Sequence, residues 1–108
     1  MKKNSMGKSQ KACTLKDVLD IIGGKWAMPI IYNLSLGKMR FKEIERTVDG
    51  INTRMLVKEL KNLEANGIIT RKVFATVPPM VEYALTIKGD KLLPSIKSLH
   101  QWGQEYAG

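Results

Sequence analysis

Apolar residues recur at helical spacing in five stretches of this chain, and in two others they gather without it. Leu15, Val18, Leu19 and Ile22 form the first set, since positions three and four apart share one face of a helix. Thr14 and Asp17 ahead of them resemble a capping box, with Asp in place of the commoner Glu or Gln. Gly23-Gly24 ends that helix. A second helix is predicted from about Lys25 to Leu36, with Trp26, Ile30, Ile31 and Leu34 on its apolar side. Pro29 is compatible with it only near the first turn, where few intrahelical bonds exist to lose. Met39-Arg40-Phe41 reads as a short extended piece, and Lys42 to Val48 as a brief helix with Ile44 and Val48 inward. Asp49-Gly50 is a turn signal. Asn52 suits the N-cap of a helix running from Thr53 to about Asn66, which Gly67 terminates.

Residues 68–75 and 81–86 are rich in β-branched and aromatic side chains and flank Thr76-Val77-Pro78-Pro79. Two antiparallel strands joined by a proline-stiffened tip are expected there. One last helix is expected after Thr86, carrying Leu92, Leu93, Ile96, Leu99, Trp102 and Tyr106, with Pro94 as a kink. Helix, tight turn, helix and two-stranded ribbon in that order make a mainly α protein with a small antiparallel β-hairpin, an α+β winged helix-turn-helix. Residues 1–12 lack apolar periodicity and are expected to be a basic flexible arm, and 13–108 the winged-helix domain.

The helix from Thr53 decides the functional reading. At 100° per residue, Leu56, Leu60 and Leu63 fall within about 60° of one another and predict a buried stripe. Arg54, Lys58, Lys61 and Ala65 fall on the opposite side. A small residue among cations on one helical edge suits insertion between phosphate walls. Thr53 and Arg54 occupy the first turn, which reaches base edges in such docking, and Arg can bond guanine through two parallel hydrogen bonds. Asn52, Lys58 and Lys61, with Arg71 and Lys72 at the start of the ribbon, are the candidate phosphate contacts. An ordinary solvated face on an amphipathic helix would carry the same residues, so the surrounding charge matters.

The 108 residues hold 18 Lys+Arg against 10 Asp+Glu, a net charge of +8. Half of the excess is Lys2, Lys3, Lys8 and Lys11, and the other half lies in 38–72, where nine cations face five acids. The remaining segments are neutral. Such placement points to a polyanion, bound through neutralised phosphates and released counterions. One cysteine and one histidine, His100, exclude an internal disulfide and a Cys- or His-based metal cluster. No nucleophile-base-acid set or glycine-rich phosphate loop is present, so neither an enzyme nor a cofactor is expected. The longest uncharged stretch, 26–37, is too short for a bilayer. Lys2-Lys3 is not followed by an apolar run, so a cytoplasmic location without membrane partners is expected.

Several segments carry a more specific signal: Ile22-Gly23-Gly24-Lys25-Trp26, Arg40-Phe41, Glu43-Ile44, Gly50-Ile51, Arg54-Met55-Leu56, Leu63-Glu64, Val77-Pro78-Pro79, Val81-Glu82-Tyr83, Leu85-Thr86 and Trp102-Gly103. In this order they resemble the HxlR family of bacterial regulators, relatives of the MarR group, over about residues 13–103. The resemblance implies a homodimeric, sequence-specific transcription factor, its two recognition helices entering successive major grooves of a near-palindromic double-stranded site about 34 Å apart. It implies that the first and last helices pair the subunits, which nominates Leu15, Leu19, Leu92, Ile96, Leu99, Trp102 and Tyr106. It also implies an N-terminal cysteine that senses an oxidant or small electrophile, and Cys13 stands at that position. Pro29, Met80 and Val57 depart from the family pattern. Val57 either packs on a thymine methyl or sits at the core's edge.

Two roles are open to Cys13. A helix N-terminus between Lys11 and Lys16 favours a reactive thiolate, whereas free cysteine is also commonly buried, here as a small hydrophobe at the subunit seam. Two other functions fit the same elements: a nonspecific nucleic-acid-binding protein, and a winged-helix module that binds proteins through its apolar terminal helices.

Overall fold

The computed structural model describes residues 13–108, and the arm expected over 1–12 lies outside them. The elements follow the order α1 (Leu15–Ile22), α2 (Ala27–Leu34), β1 (Met39–Arg40), α3 (Phe41–Thr47), α4 (Thr53–Ala65), β2 (Ile69–Phe74), β3 (Met80–Leu85), α5 (Ile87–Asp90) and α6 (Leu93–Tyr106). A winged helix-turn-helix is thus the fold, with α3 and α4 as the helix pair and β2–β3 as the wing.

Ala27, Ile30, Ile31 and Leu34 are buried and form the inner face of α2, while Pro29 and Tyr32 stay exposed. Around it lie α1, α3, α6 and β3. Ile44, Val48, Leu56, Leu60, Leu63, Ile68, Ile69 and Tyr83 complete the main core. α1 begins with the expected capping box: Asp17 N–H donates to Thr14 Oγ1 at 3.1 Å, and Thr14 N–H to Asp17 Oδ2 at 2.9 Å. α2 starts two residues later than its apolar pattern predicts, which places Pro29 in the first turn, where no backbone donor is lost.

Two expectations are corrected. The sheet has three strands, not two, in the order β1-β3-β2 and antiparallel throughout. β1 pairs Met39 with Tyr83 and Arg40 with Glu82, and α3 begins at Phe41, which is helical rather than extended. β3 is therefore the central strand, and Glu82 stands opposite Arg40 on one side and Lys72 on the other. Opposite charges at directly paired positions stabilise a sheet, and Lys38 Nζ adds a third cation 3.9 Å from Glu82. The second correction concerns Pro94. It does not kink one long helix: α5 ends at Asp90 and Pro94 is the second residue of a separate α6, a position proline tolerates.

The joint between α4, β2 and α5 is tightly built. Gly67, at φ +72°, closes α4 with its N–H on Glu64 O at 3.0 Å, while Ile68 N–H reaches Leu63 O at 2.9 Å. This is a Schellman ending, whose left-handed residue favours glycine. Thr86 caps α5 through Gly89 N–H at 3.0 Å and donates its hydroxyl to Gly67 O at 2.6 Å. Lys88 Nζ donates to Asn66 O at 2.7 Å. Gly89 passes so close to β2 that a Cβ there would stand 2.2 Å from Ile68 O. Gly89→Ala is expected to lower unfolding free energy by about 1–3 kcal/mol through overpacking against backbone, read as a reduced urea midpoint with an unchanged slope.

Candidate nucleic-acid interface

α4 is oriented by what it must bury. Leu56 and Leu63 are fully buried and Leu60 nearly so, which turns Arg54, Lys58, Lys61 and Ala65 outward, as the helical spacing predicts. Asn62 locks the rotation: its Nδ2 donates to Ile21 O at the end of α1, 3.1 Å away, and to Glu59 Oε2 at 3.0 Å. Among the described residues no acid lies within ion-pairing distance of Arg54, Lys58 or Lys61; the two ion pairs found are Lys38–Glu82 and Lys42–Glu45. Unpaired cations on a fixed ridge are available to an external anion.

The first turn of α4 is held in two ways. Asn52 Oδ1 accepts the Met55 N–H at 2.9 Å, the expected N-cap. That bond occupies the side-chain oxygen of Asn52 and leaves its NH2 group as the donor for any phosphate. Thr53 Oγ1 donates to Glu45 Oε2 on α3. Arg54 follows, exposed.

Arg71 and Lys72 do not act as a pair. Strand alternation sends them to opposite faces of the wing. Arg71 pairs with Tyr83 and lines a cleft of about 400 Å³ with Lys61, Val57 and Glu64. It thus extends the ridge of α4 into the wing. Lys72 pairs with Glu82 on the other face, its Nζ 5.1 Å from the Phe74 ring centroid. Val57 is 38% exposed at the rim of the same cleft, available to a contact from outside rather than sealed in the core.

The sequence reading passed over α3. Arg40, Lys42 and Arg46 are exposed and share a groove with the wing tip Val77, Pro78, Pro79 and Met80. Helical spacing places Lys42 and Arg46 four apart on one face, a signal present in the sequence but masked there by the alternating Glu43 and Glu45.

The residues nominated for subunit pairing divide. Leu15, Leu19, Leu99, Trp102 and Tyr106 are 52–74% exposed. Trp102 and Tyr106 lie against each other with ring centroids 5.7 Å apart. Ile96, by contrast, is 6% exposed and belongs to the core of the chain, and Leu92 is half-buried against it. Ile96 therefore offers little surface of its own, though it floors a cleft beside Leu99 and His100. His100 stacks edge-on to Tyr32, centroids 6.0 Å apart. Cys13 is exposed immediately before the α1 cap, its Sγ–H directed to Thr14 O at 3.6 Å. Burial at a subunit seam, the other role open to this thiol, requires a second chain to cover it.

A basic helix carried outward on a helix pair, with an antiparallel wing beside it, defines the winged-helix class of transcriptional regulators. Residues 21–108 match the family described as HxlR-like helix-turn-helix, and the chain belongs to that family. An HTH-type transcriptional regulator of Methanothermobacter thermautotrophicus is 41% identical over 103 residues, covering 95% of this chain and 79% of the relative. Among solved structures, the redox regulator HypR in its oxidized form superposes with TM-score 0.81 at 43% identity, over 86% of this chain and 96% of that one. A protein described as a MarR-family regulator from Porphyromonas gingivalis W83 superposes with TM-score 0.83 at 36% identity, over 97% and 99% of the two chains. The family and these relatives are regulators of transcription, not enzymes. No helix among the described residues is long and apolar enough to cross a membrane.

Proposed function

We propose that this transcriptional regulator binds double-stranded DNA sequence-specifically as a homodimer, with 13–108 as the binding and pairing domain. The observation that carries the proposal is the outward ridge Arg54–Lys58–Lys61, free of acid partners and continued by Arg71. Thr53 and Arg54 take the base edges, and Val57 a thymine methyl. Lys58, Lys61 and Arg71 take phosphates, with the Asn52 amide; Lys72, on the far face of the wing, makes a peripheral phosphate contact. Lys2, Lys3, Lys8 and Lys11 add to the attraction for the same polyanion. Leu15, Leu19, Leu99, Trp102 and Tyr106 form the subunit face, with Leu92 at its edge, because a patch of exposed aromatic and aliphatic side chains favours burial against a second copy. A near-palindromic site follows from two-fold symmetry. A nonspecific nucleic-acid binder would use the same cations but would bind selected and random duplexes alike.

Cys13 is the proposed sensor. Its exposure supports reactivity, and similarity to a redox regulator supports the signal. Two Cys13 thiols from paired subunits would lose two electrons and two protons to an oxidant and join as an intersubunit disulfide.

Arg54→Ala is expected to weaken binding to a selected site by about 1–3 kcal/mol and to relax base preference there. Lys61→Ala should weaken binding to every sequence and lower the salt slope by about one unit. Fluorescence anisotropy against selected and random duplexes separates the two; equal losses for Arg54→Ala on both would sink base reading. Trp102→Ala is expected to shift sedimentation toward monomer while far-ultraviolet circular dichroism shows the fold intact. A diamide or quinone should change site affinity of the natural protein and leave Cys13→Ser unaffected, and an identical response from both would remove the sensor.

A further inference from the structure

Glu45 reaches from α3 to the first turn of α4. Its Oε2 accepts the Thr53 hydroxyl at 2.5 Å, within the range for a hydroxyl on a charged acceptor. Its Oε1 lies 3.8 Å from Lys42 Nζ. That cation offsets the negative charge beside a surface otherwise built for phosphates. A carboxylate only accepts, so the direction of the Thr53 bond is settled: the hydroxyl gives its single proton to Glu45 and keeps its lone pairs. A free threonine hydroxyl is ambivalent toward bases, able to donate to guanine or thymine or accept from adenine or cytosine. Held by Glu45, Thr53 can only accept.

We propose that Glu45 is a specificity-determining positioning residue, which turns Thr53 into a reader of exocyclic amines. On the strand Thr53 faces, adenine or cytosine is selected over guanine or thymine. Every base pair carries one such amine in the major groove, so the choice is which strand presents it. This inference rests on α4 being the helix that enters the major groove.

The test is selection of bound duplexes from a random-sequence library, followed by sequencing, for the natural protein, Glu45→Ala, Thr53→Val and the double variant. The natural protein is expected to show one position per half-site preferring adenine or cytosine by on the order of tenfold. Either single substitution should collapse that preference to about twofold or less, and the double variant should add nothing. Preservation of the rest of the motif shows that each variant folds and docks. Guanine or thymine at that position, or an unchanged preference in Glu45→Ala, overturns the proposal. So does loss in Glu45→Ala with Thr53→Val unchanged, because Glu45 would then touch the base itself. A natural protein that enriches no motif overturns sequence-specific binding itself, a result distinct from those three.

Discussion

Burial of the inner face of α2 is the constraint on which this fold depends. Ala27, Ile30, Ile31 and Leu34 turn one whole face of this eight-residue helix away from water. Each buried aliphatic side chain contributes roughly 1.5–3 kcal/mol when withdrawn from solvent. The helix must therefore be walled by α1, α3, α6 and β3. Asn33 on its partly exposed edge donates to Thr47 O at 3.2 Å and so fixes the end of α3. Because α3 is fixed, the turn at Asp49-Gly50, with Gly50 at φ +87°, delivers Asn52 to the start of α4. Placement of the basic ridge begins in a helix that carries no ridge residue.

From that hub the regulatory surface is set by short polar bonds rather than by area. The Asn52 cap, the Asn62 tie to α1 and the Schellman ending restrain α4 at its start, middle and end. A helix restrained this way meets an anion with little reorganisation, which favours specificity over mere attraction. Arg71 gains its place only because β3 sits at the centre of the sheet and turns Tyr83 inward, drawing the paired position toward α4.

Much of this was legible in the chain. The leucine stripe of α4, its N-cap and its glycine ending are local patterns, and all three hold. Helical periodicity also placed α1, α2 and α3 to within two residues. What escaped depends on partners distant in sequence. Two residues of β1 carry no periodicity of their own, and only the neighbouring β3 makes them a strand. Pro94 reads as a kink until Asp90 is seen to end α5. Ile96 lies on the same apolar stripe as Leu99, and spacing alone does not say which faces the core. Arg71 and Lys72 are adjacent in the chain and opposed on the sheet. The Glu45–Thr53 bond joins two helices across a turn, beyond the reach of any local pattern.

The joint where Thr86, Lys88 and Gly89 grip the end of α4 has a consequence for scale. α5 is one turn long and leads directly into α6, the helix with the exposed Trp102 and Tyr106. The C-terminal end of α4 is thus riveted to the start of α6 by three contacts through a single short helix. In the two-fold assembly proposed above, built on α6, this rivet works as a caliper: it sets the gap between the two copies of α4. Under that proposal, length of site and identity of site become separately adjustable, the first by residues 86–89 and the second by the opening turn of α4.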